Sequence, residues 1–155
     1  MAKIEGPFAN ITNEQLGQVL QLWNQEYPLG LNYKDIQAFK DFLRPLGIKR
    51  HYLIISKDQI TAWLVTFDRE GDRWFSIIIS TEYQHQGLGK ALLSHVMAKE
   101  PQLCGWVVDH DRDFKRDGSP YKSPLAFYKK MGFCVDETVR YEKDNVSCVK
   151  IFCNH

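Results

Sequence analysis

The sequence predicts an α/β domain built on a mixed, mostly antiparallel central sheet with helices on both faces. Three observations lead there. Amphipathic helical stretches alternate with β-branched and aromatic runs along the whole chain. Three of those runs follow one another with only tight turns between them, which implies antiparallel pairing. A strand–helix–strand passage comes later, which implies one parallel step through a crossover. With 155 residues the chain is expected to form one domain, 1–155, and no repeat, linker or low-complexity tract divides it.

The elements follow in the order ααβββαβαββ. In NEQLGQVLQLWNQEY, Leu16, Val19, Leu20 and Trp23 share one helical face, and Thr12 or Asn13 can cap it. PLGLN interrupts before YKDIQAFKDFLRPLG, where Ile36, Phe39, Phe42 and Leu43 form a second apolar stripe and Gly47 suits the stop. HYLIIS and ITAWLVTFD flank Lys57-Asp58-Gln59 as a hairpin, and REGDRW turns the chain into WFSIIIS. GLGKALLSHVMAKE is a helix with Leu88, Leu92 and Val96 on one face, and LCGWVVDH is a strand leading into the polar loop DRDFKRDGSPYK. Ser123-Pro124 opens a short helix, SPLAFYKKM, as a cap followed by proline at the first helical position. FCVDETVRYE and VSCVKIFC close the chain as two strands around Lys143-Asp144-Asn145.

Composition narrows the function. Hydrophobic residues at 44% and charged residues at 25% describe a globular chain, neither disordered nor membrane-embedded. A net charge of +1 without runs of like charge gives no footprint for nucleic acid. MAKIEGPFANITNEQ has no apolar core of signal-peptide length, and no stretch approaches a membrane span, so a cytoplasmic protein is expected. Cys104, Cys134, Cys148 and Cys153 lack CxxC or Cys/His zinc spacing; they read as free thiols in a reducing compartment, with no metal.

The segment STEYQHQGLGKAL breaks an apolar strand into a polar turn with two glycines and then starts a helix. A Walker phosphate loop fails twice, because Gln84 stands at its first glycine and Ala91 at its magnesium-binding hydroxyl. A dinucleotide fingerprint starts with Gly87-Leu88-Gly89 and finds Asp109 at the expected ribose-binding distance, but Leu92 occupies its third glycine. The three antiparallel strands upstream do not belong to that fold. What remains is Gln84-His85-Gln86-Gly87-Leu88-Gly89 between strand and helix, followed further on by SPLAFYKKMGF with Tyr128, Gly132 and Phe133. Free amides at a helix start, helped by the helix dipole and a nearby cation such as Lys90, suit a pyrophosphate.

In these two motifs and in element order the sequence resembles the GNAT superfamily of N-acetyltransferases over nearly its whole length. The resemblance implies transfer of an acetyl group from acetyl-CoA, the co-substrate, to a primary amine of a small molecule, peptide or protein. It implies that backbone groups of Ile77 and Ile79 hold the acyl-pantetheine arm and that one amide there polarises the thioester carbonyl. It places Gln84, His85, Gln86, Gly87, Leu88, Gly89 and Lys90 at the pyrophosphate, with Ser123 and Lys130 as further cofactor contacts. Tyr128 is implied as general acid to the departing CoA thiolate. Each has a plainer reading: Ile77 and Ile79 as core strand, Ser123 as a helix cap, Lys130 as a solvated lysine, Tyr128 as a half-buried helix tyrosine.

The base is less determined. Many relatives carry a glutamate on the strand that holds the arm, and WFSIIIS offers only Ser76. Asp109 and His110, at the end of LCGWVVDH, are placed to act as base or relay, His110 having the better ordinary pKa. The acceptor is expected between EYPLGLNY and DHDRDFKRDGSPY, with Tyr27, Tyr33 and Asp111 as its candidate contacts, in a monomer or homodimer. A non-catalytic acyl-CoA-binding module is the alternative that the missing acid suggests. A nucleotide-binding oxidoreductase stands third.

Overall fold

A computed structural model describes residues 2–143 and 145–154. The chain runs β1 (Ile4–Phe8), α1 (Asn13–Glu26), α2 (Ile36–Leu43), β2 (Gly47–Ser56), β3 (Gln59–Arg69), β4 (Asp72–Ile79), α3 (Leu88–Met97), β5 (Gln102–Val108), α4 (Leu125–Lys130), β6 (Cys134–Lys143) and β7 (Val146–Asn154). Short 3-10 turns at Leu29–Leu31 and Thr81–Tyr83 lie between them. The strands form one seven-stranded sheet in the order β1-β2-β3-β4-β5-β7-β6. Every neighbouring pair is antiparallel except β4 and β5. The expected order therefore lacked a first strand. IEGPF holds a glycine and a proline and shows no alternation, yet it pairs antiparallel with β2 at the edge of the sheet, where proline is tolerated.

Local chemistry explains most boundaries. Thr12 Oγ1 accepts from Gln15 N while Gln15 Oε1 accepts from Thr12 N, a capping box at the start of α1. Lys57 and Asp58 both have positive φ (53° and 62°), as do Glu70 and Gly71 (53° and 82°). These two-residue turns match the right-handed twist of the hairpins they close. Gly47 does not stop α2; that helix ends at Leu43 with Arg44 as its cap, and Gly47 opens β2. Pro124 sits one place earlier than expected, at the cap of α4, although Ser123 Oγ still accepts from Leu125 N. Asp144, in the expected turn between the last two strands, lies outside the described residues.

Two cores cover the two faces. Val19, Leu22, Trp23, Phe39 and Leu43 of α1 and α2 pack on Leu53, Trp63, Val65, Trp74 and Ile78. Leu92, Leu93 and Val96 of α3, with Tyr128 and Phe133, pack on the other face against Tyr52, Leu64, Phe75 and Val107. Each such side chain contributes roughly 1.5–3 kcal/mol when fully buried. Cys104, Cys148 and Cys153 are buried and Cys134 is exposed. No helix among the described residues is long and apolar enough to cross a membrane.

Candidate active site

The site begins where β4 and β5 part. They share the single register pair Trp74↔Cys104, so the edge of β4 from Phe75 to Ile79 has no ladder to its neighbour. A strand residue sends its N–H and C=O out by the same edge. The Ile77 carbonyl accepts from Tyr27 Oη at 2.9 Å and the Ile79 carbonyl from Gln84 Nε2 at 2.9 Å, from outside the sheet. The N–H groups of Ile77 and Ile79 therefore face the opening.

At the far end of β4 the chain turns through Thr81–Tyr83 and enters α3. Gly87 caps α3 with φ 79° and ψ 6°, a left-handed conformation that disfavours any side chain, and no side chain caps the helix start. The first amides of α3 thus remain free for an anion. Gly89 is less constrained: a Cβ there would meet Phe127 at 3.6 Å and Ile79 at 3.8 Å, ordinary contacts. Lys90, His85 and Gln86 are exposed around the turn, and Gln86 Nε2 donates back to the Glu82 carbonyl at 3.2 Å.

Sequence reasoning missed the residue that fixes this turn. Glu26, buried at the end of α1, accepts from Thr81 N at 2.9 Å, from Thr81 Oγ1 at 2.7 Å and from Gln84 Nε2 at 3.4 Å. Lys115, from the loop after β5, reaches the same carboxylate at 3.3 Å. Its signal was present: Glu26 continues the buried stripe of Val19, Leu22 and Trp23, where a carboxylate is out of place. Leu29 N donates to the Phe114 carbonyl at 2.9 Å, so the two segments expected to border the acceptor do meet.

Beside the opening lies a cavity of about 520 Å³, lined by Trp23, Tyr27, Tyr33, Trp106, Tyr121 and Tyr128 among others. Its size is that of a small-molecule site. Asn24 clamps the backbone of Tyr33 through Nδ2 to the carbonyl (2.9 Å) and Oδ1 from the amide (3.0 Å), fixing that ring over the cavity. Burial pushes the hydroxyl pKa values of Tyr27, Tyr121 and Tyr128 well above the ordinary phenol, and that of Tyr33 to about 12. All four are neutral donors at any working pH. Tyr128 is buried among Phe75, Phe127 and Phe133, and its hydroxyl makes no hydrogen bond among the described residues.

The remaining candidates scatter. Asp109 holds Arg140 in two bonds of 2.9 and 3.0 Å; that pairing draws its pKa down, and it does not line the cavity. His110 also lies off the wall, its Nδ1 accepting from Arg112 N at 3.2 Å. Asp111 Oδ1 accepts from Ser123 N at 2.7 Å and so orders the entry to α4 rather than facing the cavity. Ser123 Oγ donates to the Val108 carbonyl, tying α4 to the end of β5. Lys130 is exposed.

A family model described as acetyltransferase (GNAT) domain matches residues 48–135. The chain belongs to this family. Among solved structures, an acyl-CoA N-acyltransferase from Pseudomonas aeruginosa matches with TM-score 0.72 at 18% identity, covering 99% of each chain. The ribosomal-protein-S18-alanine N-acetyltransferase of Escherichia coli matches with TM-score 0.66 at 15% identity, over 99% of this chain and 93% of its own. A phosphinothricin acetyltransferase from Sinorhizobium meliloti, solved in complex with acetyl-CoA, matches with TM-score 0.63 at 12% identity, over 97% of this chain and 86% of its own. At such identities the likeness speaks for the fold. No curated protein matches the sequence.

Proposed function

We propose that the protein transfers an acetyl group from acetyl-CoA to a primary amine by direct attack on the thioester. The observation that carries this reading is the unpaired edge of β4, which runs from the free helix start at Gly87–Gly89 to the tyrosine-lined cavity. An extended ligand with an anion at one end and a reactive carbonyl at the other fits that path. The amides of Leu88, Gly89 and Lys90, flanked by His85 and Gln86, take the pyrophosphate. The N–H groups of Ile77 and Ile79 bind the arm, and one of them polarises the thioester carbonyl. Gln84 acts through its grip on the Ile79 carbonyl. Lys130, at the end of α4, and Ser123, just before it, are assigned as further cofactor contacts.

The acceptor enters from the α1–α2 side, past Tyr27 and Tyr33. Its nitrogen attacks the carbonyl carbon, the C–S bond breaks, the nitrogen gives up a proton and the sulfur gains one. Among the described residues the cavity wall carries one carboxylate, Asp41, which pairs with Arg44 at 3.0 Å, so water is the natural carrier of the amine proton. Tyr128 donates its free hydroxyl to the departing sulfur. Because burial makes it a weak acid, its part is to stabilise the thiolate by a hydrogen bond until the proton from the new amide reaches it.

Calorimetric titration with acetyl-CoA, beside Gly89→Glu, tests the reading. A glutamate at the start of α3 suits the helix dipole and leaves the fold intact, but repels an anion. Micromolar binding by the native protein, lost in the variant, is expected, followed by thiol release with amine acceptors. Absence of binding would sink the proposal; binding without turnover of any amine would leave an acyl-CoA-binding module.

A further inference from the structure

Arg69 ends β3, on the face that also carries Trp63, Val65 and Phe67 into the α1–α2 core. The guanidinium carbon lies 4.4 Å from the ring centroid of Trp74 and 5.3 Å from that of Phe67, and the side chain lines the cavity. The same cavity wall also holds Tyr33, Tyr141 and Trp106, the last packed on Trp74 and Tyr141, and Arg69 itself is half-buried.

Among the described residues this guanidinium has no carboxylate partner. Every other arginine that is not fully exposed to solvent is engaged: Arg73 with Glu100 and Asp68, for instance. Glu70, the next residue, acts on Arg69 only through space. The other charges on the wall are Lys143, which pairs with no described residue, and Asp41, already held by Arg44. Lys150, its Nζ 5.4 Å from the Trp74 ring centroid, is paired with Asp72. Among the described residues, the uncompensated charges on the wall are therefore positive. A stacked, partly dehydrated guanidinium keeps its fork of donors oriented for a carboxylate.

We propose that Arg69 is a specificity-determining residue that binds a carboxylate on the acceptor, so that the acceptor is an elongated small molecule with an amine at one end and a carboxylate at the other. This rests on the transferase reading above. The reacting carbonyl belongs near Ile77, and Trp74, under Arg69, stands three strand residues away, roughly 10 Å. An α-amino acid that reacts through its α-amine cannot span that distance. An ω-amino acid or an aminoalkyl-aromatic acid does, and the rings of Trp23, Tyr27 and Trp106 on the same cavity wall suit an apolar or aromatic stem.

The test compares 4-(aminomethyl)benzoate with its neutral isostere 4-(aminomethyl)benzamide, by thiol release at saturating acetyl-CoA. Native protein, Arg69→Gln and Arg69→Lys are assayed, and acetyl-CoA binding is measured on the same samples. Loss of a charge-assisted pair predicts a preference for the carboxylate of at least about tenfold in kcat/KM. That preference should collapse towards parity in Arg69→Gln and recover in part in Arg69→Lys, with acetyl-CoA affinity unchanged in all three. Equal rates on the two probes, a preference that survives Arg69→Gln, or turnover of neither probe by a protein that binds acetyl-CoA would each overturn the inference. Failure to bind acetyl-CoA would remove the transferase reading first, and this inference with it.

Discussion

Two buried glutamates stand at opposite ends of the seam between β4 and β5, and they do opposite things. Glu100, just before β5, gathers Arg73 Nε at 2.7 Å, Thr66 Oγ1 at 2.8 Å, Tyr52 Oη at 3.0 Å and Arg50 Nη1 at 3.1 Å. These partners come from β2, β3 and β4, and they pin the strands together where Trp74 still pairs with Cys104. Glu26 sits at the other end and binds no strand. It holds the turn after β4, Gln84 and Lys115, so it fixes the rim of an opening instead of closing one. The same side chain serves rigidity in one place and access in the other, according to whether its partners lie in one sheet or on separate segments.

That contrast breaks most visibly at Glu100. Glu100→Ala leaves Arg73 with only the more exposed Asp68 as counter-charge and strips Thr66 and Tyr52 of their acceptor, and a loss of about 3 kcal/mol in unfolding free energy is expected by urea denaturation. The folded fraction should still bind acetyl-CoA as the native protein does; a large loss of affinity would mean that the closed end also shapes the opening. Burial pushes the Glu100 pKa up, but the bonds from Arg73 and Thr66 with the Arg73 charge outweigh it and hold the carboxyl below its ordinary value. Its contribution is thus present above the unfolded glutamate pKa of about 4.3 and fades as pH falls through the folded value. The difference between native protein and variant should shrink over that range.

Within the opening, Tyr128→Phe removes one oxygen from the proposed path of the sulfur. A fall in kcat of roughly a hundredfold is expected, with acetyl-CoA affinity and urea midpoint nearly unchanged. Unaltered kcat would leave the phenol as packing alone. Glu26→Ala sharpens the comparison with the smallest effect. Freeing Thr81 and Gln84 should weaken acetyl-CoA binding by about tenfold while costing only about 1–2 kcal/mol of stability. Equal and large losses of stability at Glu26 and Glu100 would erase the distinction between them.

The elements legible in the sequence were those with a period. Helical spacing marked Val19 and Trp23, Leu92 and Val96; β-branched runs and two-residue turns marked the hairpins; the glycine turn before α3 stood out for the same local reason. β1 was illegible because its pairing, not its composition, makes it a strand. The cavity wall was half legible, since Tyr27 and Tyr33 were named from their position but Arg69 was not. Its place two residues after Phe67 on the core-facing side of β3 was the available signal. The pairing of Asp109 was illegible because a strand-end carboxylate looks free until Arg140, distant in sequence, arrives to bind it. Contacts between segments far apart in the chain leave no local mark.

The parted strands carry one more consequence, for solubility. An unzipped stretch in the middle of a sheet is an internal edge, and edges invite foreign strands. Here the intruder meets a ladder already half spent, because Tyr27 and Gln84 occupy one lone pair on each carbonyl of Ile77 and Ile79. A passing peptide finds donors at these positions but weakened acceptors, so it cannot complete a two-way ladder at full strength. The bonds that shape the opening also guard it against becoming a nucleus for aggregation.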